Sequence, residues 1–308
     1  VILCIVLLAA AVLIFYTVRE YRPKSIEFLN TGNGTKTLSE GDSFSVLTYN
    51  TGYGALSKDE DFFMDGGRKV QPDRKEVVET NLAGISDILK NQAADFYFLQ
   101  EVDIDAKRSF HINERAYYEK ALDMSSIYAC NFKCDFVPYP LPPIGKVEAG
   151  LVTMTDYQVE SAKRIKLAES FSWPIKTCNL KRCMLETRIP IEGTDKELVL
   201  INFHLEAYDS GEGKIAQRKV LVKKLKEEYE KGNYVIAGGD FNQTFDGMDT
   251  YPIHDKGSWV PGKVGKEDIP EGFSYAVSDN VPTCRLLNGP YSGNYDDSQV
   301  YVLCLLYT

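Results

Sequence analysis

The run from Lys231 to Thr244, Lys-Gly-Asn-Tyr-Val-Ile-Ala-Gly-Gly-Asp-Phe-Asn-Gln-Thr, constrains the fold more than any other stretch of the chain. Tyr234 to Ala237 is a short apolar run rich in β-branched and aromatic residues and bounded by turn formers, the pattern of a buried strand. Gly238 and Gly239 then let the backbone approach a neighbour closely or take a conformation that a β-carbon forbids. A carboxylate and a carboxamide follow at alternate positions, Asp240 and Asn242, which point the same way in an extended segment. Alone, this is equally well a strand end followed by an Asx turn.

At 308 residues, 44% hydrophobic and 26% charged, the chain can bury one large core or two small ones. No mid-chain linker forces a division. The formal charge of -9 argues against a broad basic surface for nucleic acid. It does not exclude nuclease chemistry, because bound divalent cations bring positive charge to the site itself.

Residues 1–18 are apolar almost without interruption. As a helix they span roughly 27 Å at ~1.5 Å per residue, close to a bilayer core. Arg19, Arg22 and Lys24 follow at once with no small-residue cleavage pattern, so an uncleaved transmembrane or signal-anchor helix is favoured over a signal peptide or a buried helix. The expectation is a single-pass membrane protein with its domain on the extracytoplasmic side. Residues 19–42 read as a polar stalk, and residues 43–308 as the domain. Seven cysteines include no CxxC spacing, and free thiols are the default reading.

Within the domain, Ser43 to Asn50, Asp95 to Glu101, Tyr128 to Cys134, Gly150 to Met154, Phe273 to Val277 and Gln299 to Tyr307 read as strands. Cys183 to Ile189 and Glu197 to Leu205 read as hairpin partners. Helical spacing runs from Arg74 to Asn91, near Asn113 to Asp123, and from Glu212 to Glu230, the last with Ile215, Val220, Leu221 and Leu225 inward. Hairpins mixed with strand-helix-strand crossovers predict an α/β (α+β) fold in which two mixed sheets pack together with helices outside.

Four of these strands end in polar residues: Asn50; Glu101; Asn202 with His204; Asp240 with Asn242. Each has a dull explanation, whether a turn residue, a solvated strand end or a satisfied core histidine. Together they are harder to dismiss. Oxygen ligands suit Mg2+ or Mn2+, and a His and an Asp beside a hydrated metal are what phosphate-ester hydrolysis requires.

Thr48-Tyr-Asn50, Leu99-Gln-Glu101, Ala149 to Met154, Asn202-Phe-His204 and Gly238-Gly-Asp240-Phe-Asn242 occur in this order in strand contexts, and the whole resembles the endonuclease/exonuclease/phosphatase superfamily over about residues 43 to 308. The resemblance implies a DNase I-like four-layer sandwich. It implies that Asn50 and Glu101 bind Mg2+ (or Mn2+), Glu101 directly. His204 would contact the scissile phosphate, Asp240 would orient or deprotonate the attacking water, and Asn242 would help hold both. Asn202, Lys133, Arg182 and Arg218 are candidate phosphate contacts, with solvated surface as the competing reading for the three cations. Trp173 and Trp259 read as packing. The departure from the family pattern lies at the end of the sequence: Cys304 stands where an Asp is expected, and no closing Ser-Asp-His occurs before Thr308. The C-terminal end is therefore expected to be incomplete and the chain weak or inactive as it stands. The expected function is divalent-metal-dependent hydrolysis of a phosphate ester, in nucleic acid or phospholipid, by a monomer. The alternative is a catalytically inactive binding or scaffold protein on the same fold.

Overall fold

The computed structural model describes residues 1–57, 63–65, 67–208, 211–245, 262–276 and 304–307. In chain order these form helix α1 (Ile2–Arg19) and strands β1 (Ile26–Phe28), β2 (Leu38–Ser39) and β3 (Val46–Asn50), then α2 (Lys75–Gln92), β4 (Phe96–Asp103) and α3 (Glu114–Leu122). Strands β5 (Ser126–Val137), β6 (Gly145–Thr155), β7 (Ser161–Lys166), β8 (Cys183–Glu192) and β9 (Glu197–His204) follow, and then α4 (Glu212–Glu230). The remainder is β10 (Tyr234–Asp240), β11 (Gln243–Phe245), β12 (Gly262–Val264), β13 (Phe273–Ala276) and β14 (Cys304–Tyr307).

Two mixed sheets result. The smaller has the order β3-β4-β6-β5. The larger runs β1-β7-β8-β9-β10-β14-β13, with β2 also on β8. The β3–β4 pair is parallel across the α2 crossover and the β9–β10 pair is parallel across α4; the other neighbours within these two sheets are antiparallel, except β2–β8. Alternation along the strands builds the layers. Phe96 and Phe98 of β4 meet Leu198 and Leu200 of β9 and Ile236 of β10 between the sheets. The intervening residues face outward: Tyr97 and Leu99 pack with Val78, Leu82 and Leu89 of α2, and Val199, Ile201 and Phe203 with Leu221 and Leu225 of α4. Helix, sheet, sheet, helix: this is the four-layer DNase I-like sandwich expected.

The structure corrects two readings of the sequence. Residues 19–42 are not a free stalk, because β1 pairs antiparallel with β7, β2 pairs with β8, and Leu38 is buried between the sheets. Strands this short carry too little alternation to be read locally. Ile215 is exposed; α4 is rotated so that Gln217, Leu221, Leu225 and Glu228 face the protein. That rotation lets Gln217 accept the Glu206 N–H and donate to the Ala168 carbonyl. Of the expected strand Gln299 to Tyr307, residues 304–307 are described, as β14. Residues 299–303, Val277 and Trp259 lie outside the described residues, as does the Cys304 side chain.

Candidate active site

The inward-facing set of each strand continues to its C-terminal end. On β3, Thr48 and Asn50 share one face. On β9, Leu198, Leu200, Asn202 and His204 do, and on β10 so do Ile236, Gly238 and Asp240. Parallel pairing sets His204 beside Asp240, while Asn50 pairs with Gln100. Glu101 is out of phase, since Phe96, Phe98 and Gln100 face inward. A bulge between Leu99 and Val102 breaks the β4–β6 register, and Glu101 takes a left-handed φ of 55°. Bulges of this kind re-aim a side chain, and here the carboxylate joins the others.

Asn50 Nδ2 donates to Glu101 Oε1 at 3.0 Å and to Asp240 Oδ2 at 2.8 Å, and Asn50 Oδ1 accepts the Gly52 N–H at 3.0 Å. His204 Nε2 lies 3.7 Å from Asp240 Oδ2, and its Nδ1 4.0 Å from Glu101 Oε1. Asp240 Oδ1 accepts the Asn242 N–H at 2.8 Å, and Asn242 Nδ2 donates to the Leu205 carbonyl at 2.9 Å. Asn242 adopts φ 50°, a conformation asparagine tolerates better than most residues. Asn50, Glu101, His204, Asp240 and Asn242 line one cleft of about 850 Å³.

Burial pushes the His204 pKa down, and the nearby Arg182 adds to this against the pull of Asp240, Glu101 and Glu206. The imidazole is therefore neutral at neutral pH. For Asp240, burial works upward, but His204, the Asn50 amide, the Asn242 N–H and Arg182 outweigh it and hold the carboxyl below its ordinary range. The Asp240 carboxylate is ionised.

Four candidate phosphate contacts are placed differently. Asn202 is fully buried beneath the site and ties the sheets together: its Nδ2 donates to the Val152 and Leu99 carbonyls, and its Oδ1 accepts from Gln100 Nε2 at 2.8 Å. Its hydrogen bonds are taken by the fold. Lys133 pairs with Glu148 at 3.0 Å. Arg218 pairs with Asp268 at 2.9 Å and donates to Gln243 Oε1 at 2.7 Å. Neither Lys133 nor Arg218 lines the cleft. Arg182 does, buried, donating to Glu206 Oε2 at 3.3 Å and to the His204 carbonyl at 3.2 Å. Two charged residues of the cleft were not singled out in the sequence. Glu206 is held below its ordinary carboxylate range: burial opposes this, and Arg182 and the Ala207 and Tyr208 N–H groups prevail. Arg108 stacks 3.7 Å from the Tyr53 ring centre and forks onto Asp103. Glu206 could have been suspected from its place two residues after His204; nothing local marks Arg108.

The donor set fits a hard divalent cation. Glu101, His204 and Asp240 each offer an atom within 4.8 Å of the others, and His204 Nδ1 is buried without a hydrogen-bond partner. The two carboxylate oxygens suit Mg2+ or Mn2+, whereas Asn50 turns its Nδ2 towards them and its Oδ1 to the Gly52 N–H, so it braces the carboxylates without offering an oxygen ligand.

The sequence matches the endonuclease/exonuclease/phosphatase family over residues 47–296, most of its length. The chain belongs to that family. The family's enzymes are hydrolases of phosphoester bonds. Solved structures similar to this family member include an endonuclease/exonuclease/phosphatase from Beutenbergia cavernae DSM 12333, 18% identical, covering 65% of this chain and 47% of that one with a TM-score of 0.48. Truncated Caenorhabditis elegans TDP2 is 17% identical, covering 86% of this chain and 84% of its own with a TM-score of 0.47. A mannosyl-6-phosphatase from Bacteroides thetaiotaomicron VPI-5482 is 18% identical, covering 65% and 66% with a TM-score of 0.44. Likeness this distant says nothing of substrate. No curated protein matches the chain.

Proposed function

We propose that this family member is a divalent-metal-dependent phosphoesterase whose catalytic groups are Glu101, Asn50, His204, Asp240 and Asn242. The observation that carries the reading is the meeting of Glu101, His204 and Asp240, drawn from two sheets, within 4.8 Å. Glu101, with Asn50 beside it, is the group to hold Mg2+ or Mn2+, which when bound supplies positive charge to the phosphoryl oxygens. Neutral His204 donates a hydrogen bond to a phosphoryl oxygen from its Nε2 side. Asp240, ionised and fixed by Asn50 and the Asn242 N–H, accepts a proton from the attacking water as the new phosphorus–oxygen bond forms and the ester bond breaks. Asn242, locked onto the Leu205 carbonyl, keeps the Asp240 carboxylate from turning away. The substrate is a phosphate ester of nucleic acid or phospholipid.

The test is hydrolysis of bis(p-nitrophenyl) phosphate by the full chain in Mg2+ or Mn2+. Asp240→Ala and His204→Ala should each lower turnover by ~10²-fold, the usual scale for a general base or a charge stabiliser. Glu101→Ala should lose measurable Mg2+ binding by calorimetry. No metal-dependent turnover, together with no metal binding, would favour the scaffold reading instead.

A further inference from the structure

The cleft does not stop at the catalytic groups. Its wall also includes Phe132 and Val137 of β5, Tyr139 and Ile144 of the loop after it, and Cys178 and Leu180 of the segment before β8. The foot of α1 is fastened to this same wall. Tyr16 packs on Phe132, Val137 and their neighbours together with Ile144 and Leu180. Trp173 Nε1 donates to Thr17 Oγ1 at 3.0 Å, and Arg19 pairs with Asp135 at 2.6 Å. Glu20, the first residue past the helix, pairs with Lys181 at 2.7 Å, and the two side chains are only 4% and 2% exposed. A buried ion pair is costly to separate. It makes the junction a fixed joint, where exposed pairs would make a loose tether.

Helix α1 itself has no buried residue and a mean hydropathy of 2.5. It is long and apolar enough to cross a membrane. Near its foot the domain exposes further large apolar side chains, Phe136 next to Asp135 and Trp173 and Ile175 by Thr17, and the loop that carries Tyr139 and Ile144 of the cleft wall exposes Tyr139 and Leu141 as well. Leu141 is 88% exposed. Scattered singly such residues mean little, but several grouped at one helix end mark a surface that is covered. Tyr and Trp with aliphatic neighbours at the end of an apolar helix are the chemistry of a bilayer interface. Arg19 and Arg22 there are already paired with Asp135 and Glu20; Lys24, which follows and is exposed, is the cation that complements lipid phosphates. A polyanion suits the cleft poorly: the chain carries -9, and the two arginines among its lining residues, Arg108 and Arg182, are each already paired with a carboxylate.

We propose that α1 spans the bilayer and seats the domain with the mouth of the catalytic cleft on the membrane surface, so that the phosphate ester it takes is a phospholipid head group entering from the leaflet. The substrate part of this rests on the phosphoesterase reading above. The placement of the mouth does not.

The full chain in phospholipid nanodiscs tests both parts. Placement is read by quenching with lipids brominated along the acyl chain. A chain whose single Trp is Trp173 (with Trp259→Phe), and a second carrying Leu141→Trp with both native tryptophans replaced by Phe, should each be quenched most by bromines near the head-group end. An unquenched residue at position 141 would put the cleft mouth in bulk water and overturn the proposal, whatever the activity. Substrate is read by release of the head group from the nanodisc lipids beside hydrolysis of soluble bis(p-nitrophenyl) phosphate. Leu141→Ser and Ile175→Ser should slow lipid hydrolysis by about tenfold, the scale of withdrawing an apolar side chain from the interface, and leave the soluble diester unaffected. Hydrolysis of the soluble diester and of plasmid DNA, with the lipids untouched, would overturn the lipid assignment while sparing the phosphoesterase reading. Failure on the soluble diester and on the lipids alike, with no metal binding, would sink that reading and the lipid assignment with it, and the quenching result would still decide the placement.

Discussion

Glu101 shows what a single backbone angle does for this site. In a regular strand it would face α2, with Tyr97 and Leu99. At φ 55° inside a bulge it faces Asn50 and His204 instead. Strained positions of this kind persist where surrounding structure over-determines them. Gly239 is the counterpart on β10. A β-carbon there would lie 2.0 Å from the Phe203 carbonyl oxygen, and its φ of 146° is one that other residues rarely adopt. Gly239→Ala should therefore cost at least ~2 kcal/mol in urea unfolding and lower turnover by displacing Asp240. Gly84, in the middle of α2 with open space where its β-carbon would go, predicts the opposite: Gly84→Ala should stabilise by about 0.5–1 kcal/mol. Equal unfolding midpoints for the two variants would show that the β9–β10 spacing is soft. The glycine pair was legible in the sequence as a close approach. The bulge was not, because no local pattern separates Gln100-Glu101 in a bulge from the same pair in a straight strand.

At the scale of the element, α4 is held by charge as well as by Leu221 and Leu225. Glu228 accepts hydrogen bonds from Arg188 of β8 at 2.7 Å, Lys224 at 2.8 Å, Lys231 at 2.9 Å and Asn233 at 2.7 Å. Burial alone would raise its pKa, but Lys224, Lys231 and Asn233 bring it down from 4.5 to about 2. The folded-state value lies below the unfolded one. Its stabilisation is thus complete above the unfolded value and drains away as pH falls through about 2. Glu228→Gln should cost about 3 kcal/mol at neutral pH, because it leaves buried cations short of a partner. The gap to the unmodified chain should narrow steadily on acidification below the ordinary carboxylate range. Urea midpoints across that range check this; a gap independent of pH would mean that the carboxylate charge contributes nothing. The sequence showed α4 as an amphipathic helix, but its facing is set by Gln217 and Glu228, polar residues that no hydrophobic stripe marks.

For the molecule as a whole, the site belongs to neither sheet. Asn50 and Glu101 come from the smaller, His204 and Asp240 from the larger, and Asn202 with Gln100 clamps the seam just below. A cation held across that seam binds only the fully assembled protein. Mg2+ at a hundred times its dissociation constant should therefore stabilise the chain by about 2.7 kcal/mol. Thermal melts of the chain and of Glu101→Ala, with and without the metal, test it. The shift should vanish in the variant, and a shift that persists would place the bound ion elsewhere.

What the amino-acid order determined alone is local and periodic: most of the strands and helices, and the polar residues that close β3, β4, β9 and β10. Two-residue and 3.6-residue periods survive in sequence because each element must offer one face to a core. Tertiary structure decided which polar groups remain free for chemistry. Asn202, Lys133 and Arg218 resemble candidate ligands until their partners, Val152, Glu148 and Asp268, are seen to occupy them. Those partners lie about 50, 15 and 50 residues away along the chain, respectively, and a hydrogen bond or ion pair to a distant residue leaves no spacing in the sequence to read. Residues 26–28 and 38–39 become strands for the same reason: the β7 and β8 edges that complete them are supplied from far along the chain.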